Sequence, residues 1–275
     1  MSESDRKGRR SGGYGRPMRR FVPCVLVLAL LTTAARAAPP KPLRIVFPEG
    51  WSSRQMVDRV AAVRQIAIRK RHVTPRLTGV AYAAALRRAK PPPGFGSPRS
   101  IEGFLFPSTY FFDATTTGTS LVARQAAEFL RRWAAIRIPA RRTPYGLLTV
   151  ASMVEREAAV ASERALISAV IWNRLDKGMR LGIDATIRYA LGIPGTRPLT
   201  KAQLATPSPY NTRLRAGLPP TPISNPGLPS LRAAAAPASV NYLFYLRVPG
   251  TQRHFFTAEE AEFCAKASDW GYGGC

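Results

Sequence analysis

Residues 144–157 read PYGLLTVASMVERE, and this run constrains the fold more than any other. Thr143 followed by Pro144 supplies an N-cap and a first-turn proline, which predicts a helix from that point. Leu147, Leu148, Val150, Ala151, Met153 and Val154 put apolar groups on every side of it. A helix without a polar face must be enclosed by other elements, so this one is expected at the centre of its domain. Its last turn nevertheless carries Glu155 and Glu157.

Acids are scarce in this chain, which has 41 Lys and Arg against 16 Asp and Glu and a formal net charge of +25. Residues 151–189 still hold Glu155, Glu157, Glu163, Asp176 and Asp184 in a largely apolar stretch. Burying a carboxylate is unfavourable unless it is paired or its pKa rises, and a raised carboxyl pKa suits a general acid. Helical phase puts Glu155 below Leu148 and Ala151, and Glu157 below Val150 and Met153, on roughly opposite sides. One glutamate is expected to face a cleft and the other to be neutralised by an arginine such as Arg156 or Arg164.

Ser162 is the predicted cap of the next helix, which Gly178 ends. Glu163 in its first turn suits the helix dipole as well as it suits chemistry. Asn173-Arg174 either orient a carboxylate or form a polar edge. Asp184 and Thr186 are expected in a turn before a helix carrying Tyr189.

The first twenty residues carry seven basic and two acidic side chains, so about +20 of formal charge belongs to the body. Such a body favours polyanions or an anionic surface, unless it reflects only a bias toward Arg, Ala and Pro. FVPCVLVLALLTTAA at residues 21–35 follows this basic start and precedes Ala35-Arg36-Ala37. It is short for a span of roughly 20 residues and fits a signal-peptide core, as a retained anchor or with cleavage after Ala37. In both cases the basic flank (residues 1–20) is expected to stay cytoplasmic and the rest to be exported. Cys264 and Cys275 then suit a disulfide. His72 and His254 are the only histidines, so neither a metal site nor a histidine-activated nucleophile is expected. No glycine-rich phosphate loop is present, and no cofactor is expected.

Elsewhere LRIVF (43–47) reads as a strand, and Ser52-x-x-Gln55 reads as a capping box opening a helix. A second helix is expected near 79–89 and a linker at PPPGFGSP, 91–98. EGFLFPSTYFF (102–112) reads as extended, with a helix from about Ser120 to Trp133. SPYNTRLRAGLPPTPISNPG (208–227) reads as a long ordered loop of the kind that lines sites. NYLFYLRV (241–248) is a strand, and another begins at His254. The small strand-helix module suits recognition or plain packing.

FPEGWSSRQ, EGFLFPSTY, ASMVEREAAVASER, IWNRLDKGMRLGIDATIRY, SPYNTRLRAGLPPTPISNPG and His254-x-Phe256 occur in this order. Together they resemble the YceG-like endolytic murein transglycosylases, over residues 43 to 262. Asp184-Ala185-Thr186 stands where the family usually has Asp-Pro-Thr, and the region before Glu102 is compressed. The resemblance implies an α+β fold, with a small LysM-like strand-helix module and linker at 43–98. A mixed α/β catalytic domain would follow at 99–275.

It also implies cleavage of MurNAc-β-1,4-GlcNAc bonds without water, leaving 1,6-anhydro ends and trimming or terminating nascent strands. One carboxyl suffices, because the nucleophile belongs to the substrate, unlike the usual paired carboxylates. Glu155 aligns with the family's catalytic glutamate. Asn173, Arg174, Asp184, Thr186, Tyr189, Tyr210 and Asn211 are the implied substrate-binding positions. The implied partners are glycan strands, the inner membrane through residues 21–35 and peptidoglycan synthases, with no nucleic acid. The catalytic domain would be periplasmic on a single-pass anchor. A hydrolytic muramidase using Glu155 with Asp184 or Glu163, and an inactive glycan-binding scaffold, are the competing readings.

Overall fold

The structure, a computed structural model, describes residues 42–195 and 197–272. The basic start, the apolar segment at 21–35 and Cys275 lie outside the described residues. The described residues form one compact unit of α+β type. No helix of the described residues is long and apolar enough to cross a membrane.

The first elements are β1 (Leu43–Val46), α1 (Ser53–Arg71), α2 (Gly79–Arg88) and β2 (Thr109–Phe112). β1 and β2 pair antiparallel, from Leu43 opposite Phe112 to Val46 opposite Thr109. The capping box at Ser52 forms as expected, with Gln55 returning its side chain to the Ser52 backbone N–H. The β1–β2 pairing crosses the boundary anticipated near residue 98. A lone strand leaves its N–H and C=O groups unpaired, and the partner that satisfies β1 lies beyond the linker.

The remaining helices are α3 (Gly118–Trp133), α4 (Pro144–Glu157), α5 (Arg164–Asp176), α6 (Asp184–Leu191), α7 (Lys201–Leu204), α8 (Leu228–Ala235) and α9 (Glu260–Asp269). A second antiparallel hairpin, β3 (Phe244–Arg247) and β4 (His254–Thr257), precedes α9. α4 packs against α5, α6 and α8, and every residue from Gly146 to Val154 is buried. Its central position follows from its all-round apolar surface. Each fully buried Leu, Val or Met contributes about 1.5–3 kcal/mol.

Three local readings differ from expectation. Of residues 102–112 only Thr109–Phe112 form a strand. Gly103 turns the chain at φ +90, with Pro222 packed where a Cβ would stand. The N–H groups of Gly103 and Leu105 are bonded to Asn225 at 2.9 Å each, so no ladder partner is needed. Ser162 makes no capping bond, because a 3-10 turn (Ala161–Glu163) leads into α5. Asp184 opens α6 instead of lying in a preceding turn. Cys264, on α9, is disulfide-bonded.

Candidate active site

The two glutamates ending α4 diverge, as their phase requires, into different surroundings. Glu155 is half-buried, and its Oε2 accepts the Gly227 N–H at 3.1 Å, at the start of α8. Glu49 approaches from the turn after β1, where its carboxylate occupies the space a Cβ on Gly227 would need. Burial raises the Glu49 pKa, the Glu155 charge raises it further, and Arg164 opposes both. Glu155 therefore belongs to a carboxylate pair at a helix N-terminus.

Glu157 is half-buried as a residue, and its carboxyl is closely surrounded by protein. Its Oε2 accepts the Tyr245 hydroxyl at 3.1 Å, and the Ala185 N–H also faces its carboxyl. Burial raises its pKa; the Tyr245 hydrogen bond acts against this, Asp184 adds to it, and His254 acts against it. Lying at the C-terminal, partly negative end of α4 also disfavours the carboxylate form. Such surroundings favour the protonated form of a carboxyl. Tyr245 is itself raised well above its ordinary value, by burial and by Glu157.

Neither glutamate pairs with an arginine, contrary to expectation. Arg156 donates to Gly50 O at 3.2 Å and Arg164 to Ser230 Oγ at 3.2 Å. Backbone and hydroxyl oxygens take both guanidiniums, and no guanidinium offsets the burial that raises the Glu157 pKa.

The β3–β4 hairpin supplies the far wall. His254 stands edge-on to Tyr245 with ring centres 5.4 Å apart. Glu163 accepts from His254 Nδ1 at 2.7 Å and from the His254 backbone N–H at 3.1 Å, and both side chains are 7% exposed. These two hydrogen bonds, not a helix cap, hold Glu163 against β4. Among the described residues no three His, Cys, Asp or Glu side chains are grouped to hold a metal ion.

The seven expected binding residues divide into two kinds. Asn173 gives both amide hydrogens to Val240 O and Tyr242 O at 2.9 Å. Arg174 donates to Leu243 O and Leu181 O and stacks on Phe244 at 4.9 Å. Both tie α5 to the hairpin. Thr186 and Asn211 are fully buried: Thr186 bonds Ile183 O, and Asn211 bonds Leu204 O and Thr206 O.

Asp184 reaches the site, where its charge acts on Glu157, and it pairs with Arg213 at 2.7 Å. Tyr189 and Tyr210 are partly open, with ring centres 5.2 Å apart. Tyr210 bonds Thr221 at 2.9 Å. The Tyr189 hydroxyl donates to Glu102 at 3.2 Å.

Sequence reasoning missed Glu102, which is 1% exposed. Its carboxyl receives Ser53 N at 2.9 Å, Ser53 Oγ at 2.7 Å and Asn225 Nδ2 at 2.7 Å. Burial raises its pKa, and the bonds from Ser53, Tyr189 and Asn225 oppose that rise. Glu102 thus ties the start of α1 to α6 and to the 208–227 loop.

Endolytic murein transglycosylases of Bacillus subtilis (37% identical over 150 residues) and Streptococcus pneumoniae strain D39 (31% over 174) are similar to this chain. The first match covers 53% of this chain and 41% of the relative, the second 61% and 32%. The chain thus spans about a third to two fifths of the relatives' length. The crystal structure of a YceG-like protein from Listeria monocytogenes superposes with a TM-score of 0.66 at 28% identity, covering 81% of this chain and 75% of that one. The family model described as YceG-like matches residues 22–269, and this protein belongs to the YceG-like family.

Proposed function

We propose that the protein is a lytic transglycosylase that cuts murein strands internally at MurNAc-β-1,4-GlcNAc bonds, with Glu157 as the single acid/base. The environment of Glu157 supports this reading most directly: a buried carboxyl with a raised pKa, set between Tyr245 and Ala185. Glu155 has a backbone N–H and a second carboxylate as neighbours, which suits a structural part.

In the reaction the Glu157 proton passes to the glycosidic oxygen as the C1–O bond breaks. The resulting carboxylate accepts the muramyl 6-hydroxyl proton as that oxygen bonds C1. The 1,6-anhydro end forms, the acid is regenerated and no water is consumed. Tyr245 holds the carboxyl in place, and Asp184 favours its protonated form. Tyr189 and Tyr210 offer ring faces to sugars, while Asn173, Arg174, Thr186 and Asn211 hold the cleft's walls.

The β1–α1–α2–β2 unit serves as a LysM-like glycan grip that extends to residue 112. Residues 21–35 tether the enzyme to the inner membrane, or are removed at Ala37. Exported beside the synthases, it trims or ends nascent strands.

Digestion of purified sacculi followed by mass spectrometry tests this reading. Anhydro-muramic ends, lighter than reducing ends by one water, are expected, with their loss on Glu157→Gln. Reducing ends would make the protein a hydrolase, for which Asp184 beside Glu157 is the available second carboxylate. Loss on Glu155→Gln with retention on Glu157→Gln would move the acid role to Glu155. If neither substitution alters glycan release, the protein is a scaffold.

A further inference from the structure

A cavity of about 450 Å³ lies between the start of α1 and α6, and Arg54, Arg156 and Arg188 line it. None of the three has a carboxylate oxygen within ion-pair distance among the described residues. Asp58 lines the cavity too, without pairing with them.

Backbone at residues 192–195, at Arg197 and at Gly50 lies against these guanidiniums. A Cβ on Gly192 would come within 2.5 Å of Arg54 Nη1, and one on Gly195 within 3.7 Å of Arg156 Nη2. Arg188 donates Nη1 to Pro194 O at 3.0 Å and to Arg197 O. Arg156 donates Nη1 to Gly50 O. Neutral carbonyls fix Arg156 and Arg188 without discharging them, and Arg54 lies against Gly192. Three uncompensated guanidiniums around one cavity suit a ligand with oxyanions, because Arg forks bind carboxylate and phosphate bidentately. The cavity also adjoins the acid: Ala185 lines it, and its N–H faces the Glu157 carboxyl.

We propose that this cavity is a subsite for the free carboxylates of the stem peptide carried by the muramic acid next to the scissile bond. The proposal rests on reading the chain as a murein-cleaving enzyme. It assigns a specificity to that site: peptide-bearing strands are taken in preference to peptide-free ones. A cationic cavity one residue from the acid places a muramyl peptide while its sugar lies over Glu157. Pyrophosphate on a lipid-linked strand carries the same oxyanion chemistry, and the experiment separates the two sources.

The test uses the full-length protein with a soluble muramyl pentapeptide and with inorganic pyrophosphate, each by calorimetry, and needs no turnover. Muramyl pentapeptide binding is expected to weaken about tenfold in Arg54→Ala and in Arg188→Ala, and to weaken further with salt. Arg188→Lys, which keeps the charge and loses the fork, should fall between wild type and Arg188→Ala. In digests, the ratio of kcat/KM on peptide-bearing to amidase-stripped glycan should fall in the alanine variants. Tight pyrophosphate binding without peptide binding would overturn the stem-peptide assignment. Peptide binding equal in wild type and variants would overturn the site. Arginine-dependent binding without glycan cleavage would leave the site standing and remove the transglycosylase reading.

Discussion

Asn225 Nδ2 donates to Glu102 Oε1 at 2.7 Å, joining side chains 123 residues apart. The same amide donates to Trp51 O at 3.0 Å, and its Oδ1 accepts from Gly103 and Leu105 N–H. Three segments therefore meet at one fully bonded asparagine. Glu102→Ala would orphan the Ser53 N–H and one Asn225 amide hydrogen, at about 1–3 kcal/mol for each buried donor. Glu102→Gln should cost about 1 kcal/mol or less. Its amide can donate to the Ser53 and Tyr189 hydroxyls, which rotate to accept. Urea denaturation of both variants checks the gap; equal losses would mean that Glu102 contributes by packing alone.

Glu102 also sets a pH dependence. Burial raises its folded pKa above the ordinary value of 4.5, so the folded state holds this proton more tightly than the unfolded chain. The resulting stability is fully present below about pH 4.5 and is lost as pH rises through the folded value. Wild type should lose urea resistance over that window, and Glu102→Gln should lose less. Parallel curves would show that Glu102 titrates normally.

Glu155 and Glu157 differ in their surroundings: Glu155 accepts the Gly227 N–H beside Glu49, whereas burial raises the Glu157 pKa. Glu157→Gln is expected to lower anhydro-muropeptide formation by about 10²- to 10⁴-fold, the range for a general acid. Its effect on stability should be small, since burial disfavours the charged form that the amide removes. Glu155→Gln should leave most of the activity and change mainly thermal stability, through the Gly227 contact and Glu49. The reverse ranking would return the acid role to Glu155.

Much of this arrangement was legible locally. The Thr143-Pro144 start and the Ser52 box formed because each depends on neighbours within a turn, and the all-round apolar surface of α4 required its enclosure. Helical phase separated Glu155 from Glu157 but did not say which side each partner would occupy. That choice is made by Gly227 and Glu49 on one side, and by Tyr245 and Ala185 on the other. All four come from distant segments. Glu102 lay inside a recognised motif, yet its function depends on Asn225 and Tyr189, which no periodicity connects to it.

Glu163 and His254 illustrate the same point and carry a test. Removing one member of a pair this buried leaves its partner's polar atoms unpaired, at about 3–5 kcal/mol. Glu163→Ala additionally orphans the His254 backbone N–H at the start of β4. A double-mutant cycle with His254→Ala should give a coupling of about 1 kcal/mol or more by chemical denaturation. Additive losses would mean that the contact contributes no net stability.

Tyr245 tests the acid more finely than its removal does. Its hydroxyl donates to Glu157 and stabilises the carboxylate form, so it opposes the rise caused by burial. Glu157 must be protonated to act, and activity should fall as pH rises through its pKa. Tyr245→Phe deletes the opposing hydrogen bond and keeps the ring that packs against His254. The Glu157 pKa should then rise further, and the basic limb of the kcat/KM profile should move to higher pH even if the maximum drops. A basic limb that stays put while the maximum drops would make Tyr245 a packing residue. A limb moving to lower pH would show that the hydroxyl favours the protonated acid, reversing the electrostatics assigned to the site.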